Sequence, residues 1–161
     1  MSSPRPFFDS GAVRWREVAG EVFSRVHHVR HDYTLLAHDA EAGRLDMLVR
    51  WRGDGGHCPL HRHTAATTSV FVLEGEQHVR DILPDGTLGP VKVRRAGDYA
   101  LLPSDALAHL ERGGPNGGLA FFGCHTADGR LYEIVGDDGE VLFDITIDFL
   151  IADFAGAEAD G

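Results

Sequence analysis

The chain has 161 residues, 43% of them hydrophobic, which is enough to enclose one core. Its formal net charge of -10 argues against a general binder of nucleic acid or of anionic membranes, and no apolar run is long enough to span a bilayer. Twenty glycines and seven prolines imply many turns, hence a strand-rich chain.

The opening "MSSPRPFFDSG" has no apolar stretch of the kind a secretory signal needs. Cys58 and Cys124 are the two thiols. Together these features predict a cytoplasmic protein with reduced cysteines and no disulfide. One domain is expected over residues 1–161, with residues 1–10 as a loose arm. "AVRWREV" alternates as a strand does. "DYTLLAHDAEAGRLDMLVRW" reads as two strands, Tyr33–His38 and Arg44–Trp51, around a turn that Gly43 closes. After the loop "RGDGG", Thr67–Leu73 is β-branched and apolar, and Gly75 turns the chain into "EQHVRDIL". "LPDGTLG" is a turn and "VKVRRAG" the return strand. "DYALLP", "LAHLER" and "LAFFGCHT" follow as short strands separated by Pro- and Gly-containing turns. "RLYEIV" and "EVLFDI" form a hairpin around "GDDG". Such a series of short strands predicts an antiparallel jelly roll. Ile147, Leu150, Ile151 and Phe154 then fall at helical spacing, with Thr146 as N-cap, so residues 146–155 are expected to form a helix closing an end or edge of the barrel.

The chemistry centres on "GHCPLHRHTAATTSVFVLEG", residues 56–75. Alternate residues of a strand share a face, so His61 and His63 project together if "LHRHT" is extended. Two imidazoles on one face beside a Gly-rich loop fit metal ligation better than they fit a packed core.

Gly55, His61, His63 and Gly75 match the first sequence motif of the cupin superfamily, G-x5-H-x-H-x3,4-E-x6-G, and the chain is identified by resemblance with that superfamily. The second motif, G-x5-P-x-G-x2-H, is similar to "GDYALLPSDALAH". Gly97 and Pro103 fit; Asp105 replaces the glycine and His109 stands one residue late. The resemblance implies an all-β, cupin-type double-stranded β-helix, with His61, His63 and His109 as ligands of one divalent metal ion. Thr68 stands where the superfamily's glutamate ligand would be. The implied set is therefore three imidazoles without a carboxylate, which leaves the full charge of the ion for an anionic, chelating substrate.

This departure is similar to a cupin branch that cleaves carbon–carbon bonds with dioxygen, the branch of acetylacetone dioxygenase and 2,4'-dihydroxyacetophenone dioxygenase. The tail from Gly117 to Phe154 resembles that branch as well. The resemblance implies a metal-dependent dioxygenase acting on a small enolisable ketone. Iron(II) is the favoured ion, with zinc, nickel or manganese as alternatives, and no catalytic residue is expected beyond the metal ligands. A glutamate that assists the metal in some members would fall at Leu102, where this chain has none.

Other residues have plainer readings. His57 is a loop residue or a gate at the pocket mouth, with ligation as the lesser option. Cys58 is a core thiol, and His125 a satisfied rim residue with a proton-transfer role as the alternative. Arg80 and Glu111 are expected to be solvated near the barrel mouths, unless they orient a substrate. His27, His28 and His31 are expected at the surface. Phe71, Phe121 and Phe122 line either the pocket or the core. The partners expected are the substrate, dioxygen and further copies of the chain, most simply in a homodimer, because an open jelly roll leaves strand edges. The rival functions are a non-enzymatic metal- or ligand-sensing cupin and a cupin isomerase.

Overall fold

The structure, a computed structural model, describes residues 13–104 and 107–156. The expected arm over residues 1–10 and the motif position Asp105 lie outside the described residues. In chain order the elements are β1 (Arg16–Ala19), β2 (Arg30–Asp39), β3 (Arg44–Trp51), β4 (His61–His63), β5 (Thr67–Asp81), β6 (Lys92–Arg95), β7 (Tyr99–Leu102), β8 (His109–His125), β9 (Arg130–Val135), β10 (Val141–Thr146) and α1 (Ile147–Gly156). The ten strands pair antiparallel into one curled sheet, running β1-β2-β3-β8-β4-β9-β10, with β5 joining β8 to β6 and β7. The all-β expectation and the C-terminal helix both hold.

Two long strands make the roll. The second half of β8 lies between β3 and β5, pairing Met47 with Phe122 and Phe122 with Val70. Its first half stays with β5 but exchanges β3 for β4, where His61 faces His109. The change of neighbour occurs at "GGPNGG", where the register with β5 passes from Gly75↔Gly118 to Gln77↔Gly113. This corrects the expectation of two strands separated by a turn: "LAHLER" and "LAFFGCHT" belong to one strand with a wide bulge inside it. The reason is steric. Gly117 sits at a φ of +84°, and a Cβ on Gly118 would lie 2.2 Å from the Glu76 carbonyl oxygen. Only glycine lets the two backbones cross so closely.

The interior follows strand alternation. Leu45, Met47, Val49 and Trp51 of β3 pack with Val70 of β5 and with Ala120, Phe122 and Cys124 of β8. Phe122 is thus the inward phenylalanine. Phe121 and Phe71 oppose each other on the outer face, where Phe71 is exposed. Cys58 and Cys124 are buried free thiols, and Cys58 accepts a hydrogen bond from Trp51 Nε1 at 3.3 Å.

Helix α1 begins one residue later than expected. Thr146 caps it, its Oγ1 accepting from the Phe149 amide at 3.1 Å. Ile147 and Leu150 are buried against the barrel. Asp153 ties the helix down by accepting hydrogen bonds from the Arg16 guanidinium and, at 2.5 Å, from the Tyr33 hydroxyl. The helix therefore closes one end of the roll, over a cavity of about 340 Å³. No helix among the described residues is long and apolar enough to cross a membrane.

Candidate metal centre

Strand β4 is short because Pro59 interrupts the chain just before it, yet three rungs with β9 keep it extended: His61↔Ile134, Arg62↔Glu133 and His63↔Tyr132. Extension puts His61 and His63 inward and Arg62 outward, a pattern visible in their burial. His109 arrives from β8 directly opposite His61. The three rings form one group. His61 lies 4.3 Å from His109 and 5.5 Å from His63 between centroids, and His63 and His109 stack at 5.3 Å.

A fourth residue completes the group. His61, His63, His109 and Glu111 are all buried, and one ligand atom of each lies within 4.8 Å of the others. Glu111 is 1% exposed, which corrects the expectation that it is solvated. Strand parity explains the miss. In "HLE" the carboxylate lies two residues after His109 and so shares its inward face, a spacing as legible as that of His61 and His63. The expectation of a cluster without a carboxylate is corrected in the same way: position 68 lacks one, but β8 supplies it. Thr68 is not an empty place either. It is fully buried, and its Oγ1 lies 3.2 Å from His63 Nδ1.

The outer nitrogens of the three histidines fix their tautomers. His61 Nδ1 is 2.7 Å from the Pro59 carbonyl and His109 Nδ1 is 3.1 Å from the Leu107 carbonyl. A carbonyl only accepts, so both Nδ1 atoms carry the hydrogen. The Thr68 hydroxyl donates toward Cys124 Sγ, which leaves its oxygen to accept from His63 Nδ1. All three Nε2 lone pairs are thereby aimed inward, toward Glu111. His63 Nε2 is buried without a hydrogen-bond partner. His109 Nε2 lies 2.8 Å and His61 Nε2 3.6 Å from Glu111 Oε1.

Lone pairs facing a carboxylate at that distance need a positive charge between them, either a proton or a metal ion. Without metal a proton serves. Burial lowers the basicity of His109, but the Glu111 hydrogen bond and charge outweigh it and raise the pKa above the ordinary value. Burial likewise opposes Glu111 ionisation, but the hydrogen bond from His109 and the nearness of His61 hold its carboxyl well below the usual range. His63 has no such partner: burial and the neighbouring imidazoles push it down to about 3, so it stays neutral. Three neutral imidazoles and one carboxylate, with an orphaned buried nitrogen among them, form a donor set that suits a borderline divalent metal.

His61, His63 and Glu111 of this group line the cavity beneath α1. Met47, Val49, Phe122, Ile134, Ile145 and Leu150 give that wall its apolar character. The Tyr132 ring packs 5.2 Å from His61, and burial pushes its phenol above the usual range. His31 also lines the cavity, which corrects its expected surface position. Strand β2 begins at Arg30 because it pairs with β1, His31 opposite Val18, and this draws His31 into the wall. Burial, then His61, push its imidazole down to about 4 against the pull of Glu111, Asp32 and the His57 carbonyl.

The remaining candidates stay apart from the metal group. His57 is half-buried, bridges Val29 and Arg112 of β8 through its backbone, and packs on His27. His28 is exposed and accepts from the His57 amide. His125 is exposed at the end of β8. Arg80 donates to the Gly89 carbonyl. Leu102 pairs with Thr68 on the neighbouring strand.

No protein-family profile matches the sequence, and no curated protein matches it. Solved structures do. An acetylacetone dioxygenase from Acinetobacter johnsonii superposes with a TM-score of 0.62 at 14% identity, over 97% of this chain and 93% of that one. A provisionally assigned acetylacetone dioxygenase from Methylibium petroleiphilum gives 0.66 at 14% identity, over 96% and 97%. An RmlC-like cupin from Ralstonia eutropha gives 0.66 at 13% identity, over 95% and 86%. The fold is the cupin fold. At these identities the likeness concerns the fold, and the site must speak through its own residues.

Proposed function

We propose that this cupin is a metal-dependent dioxygenase that cleaves a carbon–carbon bond in a small enolisable ketone, with iron(II) as its working ion. The observation that carries the reading is the convergence of three fixed Nε2 lone pairs and a buried carboxylate, of which His61, His63 and Glu111 line an apolar cavity. His61, His63 and His109 would hold the ion, with Glu111 as a fourth donor. An ion held there supplies Lewis acidity toward an enolate and, as iron(II), the redox chemistry that zinc lacks.

The chain's own residues do the rest. Thr68, the Pro59 carbonyl and the Leu107 carbonyl hold the three imidazoles in the ligating tautomer. Glu111 keeps one proton between itself and His109 until a cation displaces it. The apolar wall excludes water from the reacting end, and α1, anchored through Asp153, closes the cavity above it. Arg16 lines the mouth but is paired to Asp153, so the wall offers little positive charge to an anionic sugar nucleotide, which disfavours the isomerase reading.

The test is metal analysis of protein purified without added metal, followed by oxygen uptake of the iron-loaded protein with β-diketones, hydroxyacetophenones and related enolisable ketones. Iron-loaded protein should consume dioxygen with at least one of them, and zinc-loaded protein should not. No uptake across the panel would overturn the reading and leave a metal-sensing role first in line.

A further inference from the structure

Strand β9 runs beside β4, and Tyr132 stands directly opposite His63, so the two side chains share the inner face. The Tyr132 ring packs 5.2 Å from His61 and 6.1 Å from His63 between centroids. Its hydroxyl is free. Tyr132 lines the cavity, and its oxygen makes no hydrogen bond among the described residues. Nor is that oxygen one of the unpartnered polar atoms that the fold encloses completely. It therefore opens into the cavity.

The surroundings place it at the metal end. The ionisable groups that act most on the phenol are Cys58, Cys124 and Glu111, ahead of Asp153 on α1. The first three border the histidines: the Cys58 amide bonds to the Glu111 carbonyl, Cys124 lies against Thr68, and Glu111 is within the group itself. The other polar groups here are committed. Cys58 accepts from Trp51, Cys124 from Thr68, Glu111 is held by His109, and Tyr33 is bound to Asp153. A hydroxyl left bare in an apolar cavity is unfavourable until something satisfies it. A phenol can donate or accept, but a negatively charged oxygen only accepts. Beside such an oxygen the phenol donates, and the bond is stronger than one between neutral groups.

We propose that Tyr132 is a substrate-contacting residue: its hydroxyl donates a hydrogen bond to a negatively charged oxygen of the ligand that chelates the ion held by His61, His63 and His109. The proposal rests on the reading above for the chemical class of that ligand, an enolisable ketone bound as its enolate. Folding does not require the oxygen, because the protein gives it no partner.

Tyr132→Phe keeps the ring against His61 and removes only the oxygen. The probe is acetylacetone, titrated into zinc-loaded protein by calorimetry, which reads binding without turnover. It chelates as its enolate and gives its proton to the buffer. The parent should bind it about tenfold to hundredfold more tightly than the variant, with equal zinc content and melting temperature. Infrared spectra of bound acetylacetone, isotope-labelled at its carbonyls, should show the carbon–oxygen stretch at higher frequency in the variant, because a donor lowers it. A residue that only shaped the wall would leave that stretch in place. The analogue with both central hydrogens replaced by methyl groups cannot form the same enolate and should not distinguish the two proteins. Equal affinity of the two proteins for acetylacetone, no binding by the parent, or an unshifted stretch would overturn the proposal. A Tyr132→Phe variant that fails to fold or melts several degrees lower would overturn it as well, since the oxygen would then belong to the fold. A loss of affinity and a shifted stretch, without oxygen uptake by the iron-loaded parent on any ketone, would sink the dioxygenase reading and leave this one standing. Oxygen uptake by the parent with unchanged binding in the variant would do the reverse.

Discussion

Replacing Thr68 by valine removes one oxygen from the buried site and almost no volume. Thr68 is fully buried, and its Oγ1 is the acceptor for His63 Nδ1 at 3.2 Å. In the valine variant that N–H is left unpaired in an enclosed space, which costs about 1–3 kcal/mol. The ring can avoid the cost by moving its hydrogen to Nε2, but that removes the lone pair a metal needs. Either way His63 becomes a poorer ligand. Loss of such an outer partner typically lowers metal affinity about 10- to 100-fold, or about 1.4–2.8 kcal/mol. The assay is competition between the protein and a chelator for zinc, which avoids oxidation during titration. Thr68→Ser, which keeps the oxygen, should stay close to the parent. A valine variant that binds zinc as tightly as the parent would refute the assignment of Thr68 as the residue that sets the His63 tautomer.

The other expectations concern the rest of the site and the surface. His61→Ala, His63→Ala and His109→Ala should each lose most of the bound metal while His57→Ala keeps it; normal metal in His109→Ala would break the ligand set. For the metal-free protein, His31 and His63 have folded pKa values pushed down to about 4 and about 3, below the unfolded value of about 6.5. Between pH 6.5 and 4 the unfolded chain therefore binds protons that the folded chain refuses, and stability falls as pH falls, by up to about 1.4 kcal/mol per pH unit for each histidine. The raised His109 acts in the opposite sense, its contribution being present below the unfolded pKa and lost as pH rises through the folded one. Melting curves should show a net decline over that window that is smaller in His31→Phe, and an equal decline in both would contradict the burial argument. We further propose a two-fold homodimer, since Phe71, Tyr99 and Leu101 lie exposed on paired strands β5 and β7. Light scattering that finds only a 17.5 kDa species at working concentration would refute it.

The sequence by itself determined the local facts. Alternation placed His61 and His63 on one face, turn chemistry marked most strand ends, and the spacing of Ile147, Leu150, Ile151 and Phe154 announced α1. Each depends on neighbours along the chain, where period and propensity act. Tertiary structure decided whatever depended on which strands meet. His109 opposes His61 only because β8 changes partners at its glycine bulge, a crossing that no local pattern announces. Glu111 follows His109 inward by the same parity that governs the histidine pair, but that parity has no inside until the roll closes, so a charged residue looked solvated. His31 entered the cavity wall because β1 extends β2 toward its N-terminal end. Thr68 acquired its role from a ring five residues away in sequence, brought against it when β4 and β5 packed. A motif can state which residues share a strand face; only the closed roll determines which faces look at one another, and the charge, tautomer and burial of each group at the site follow from that.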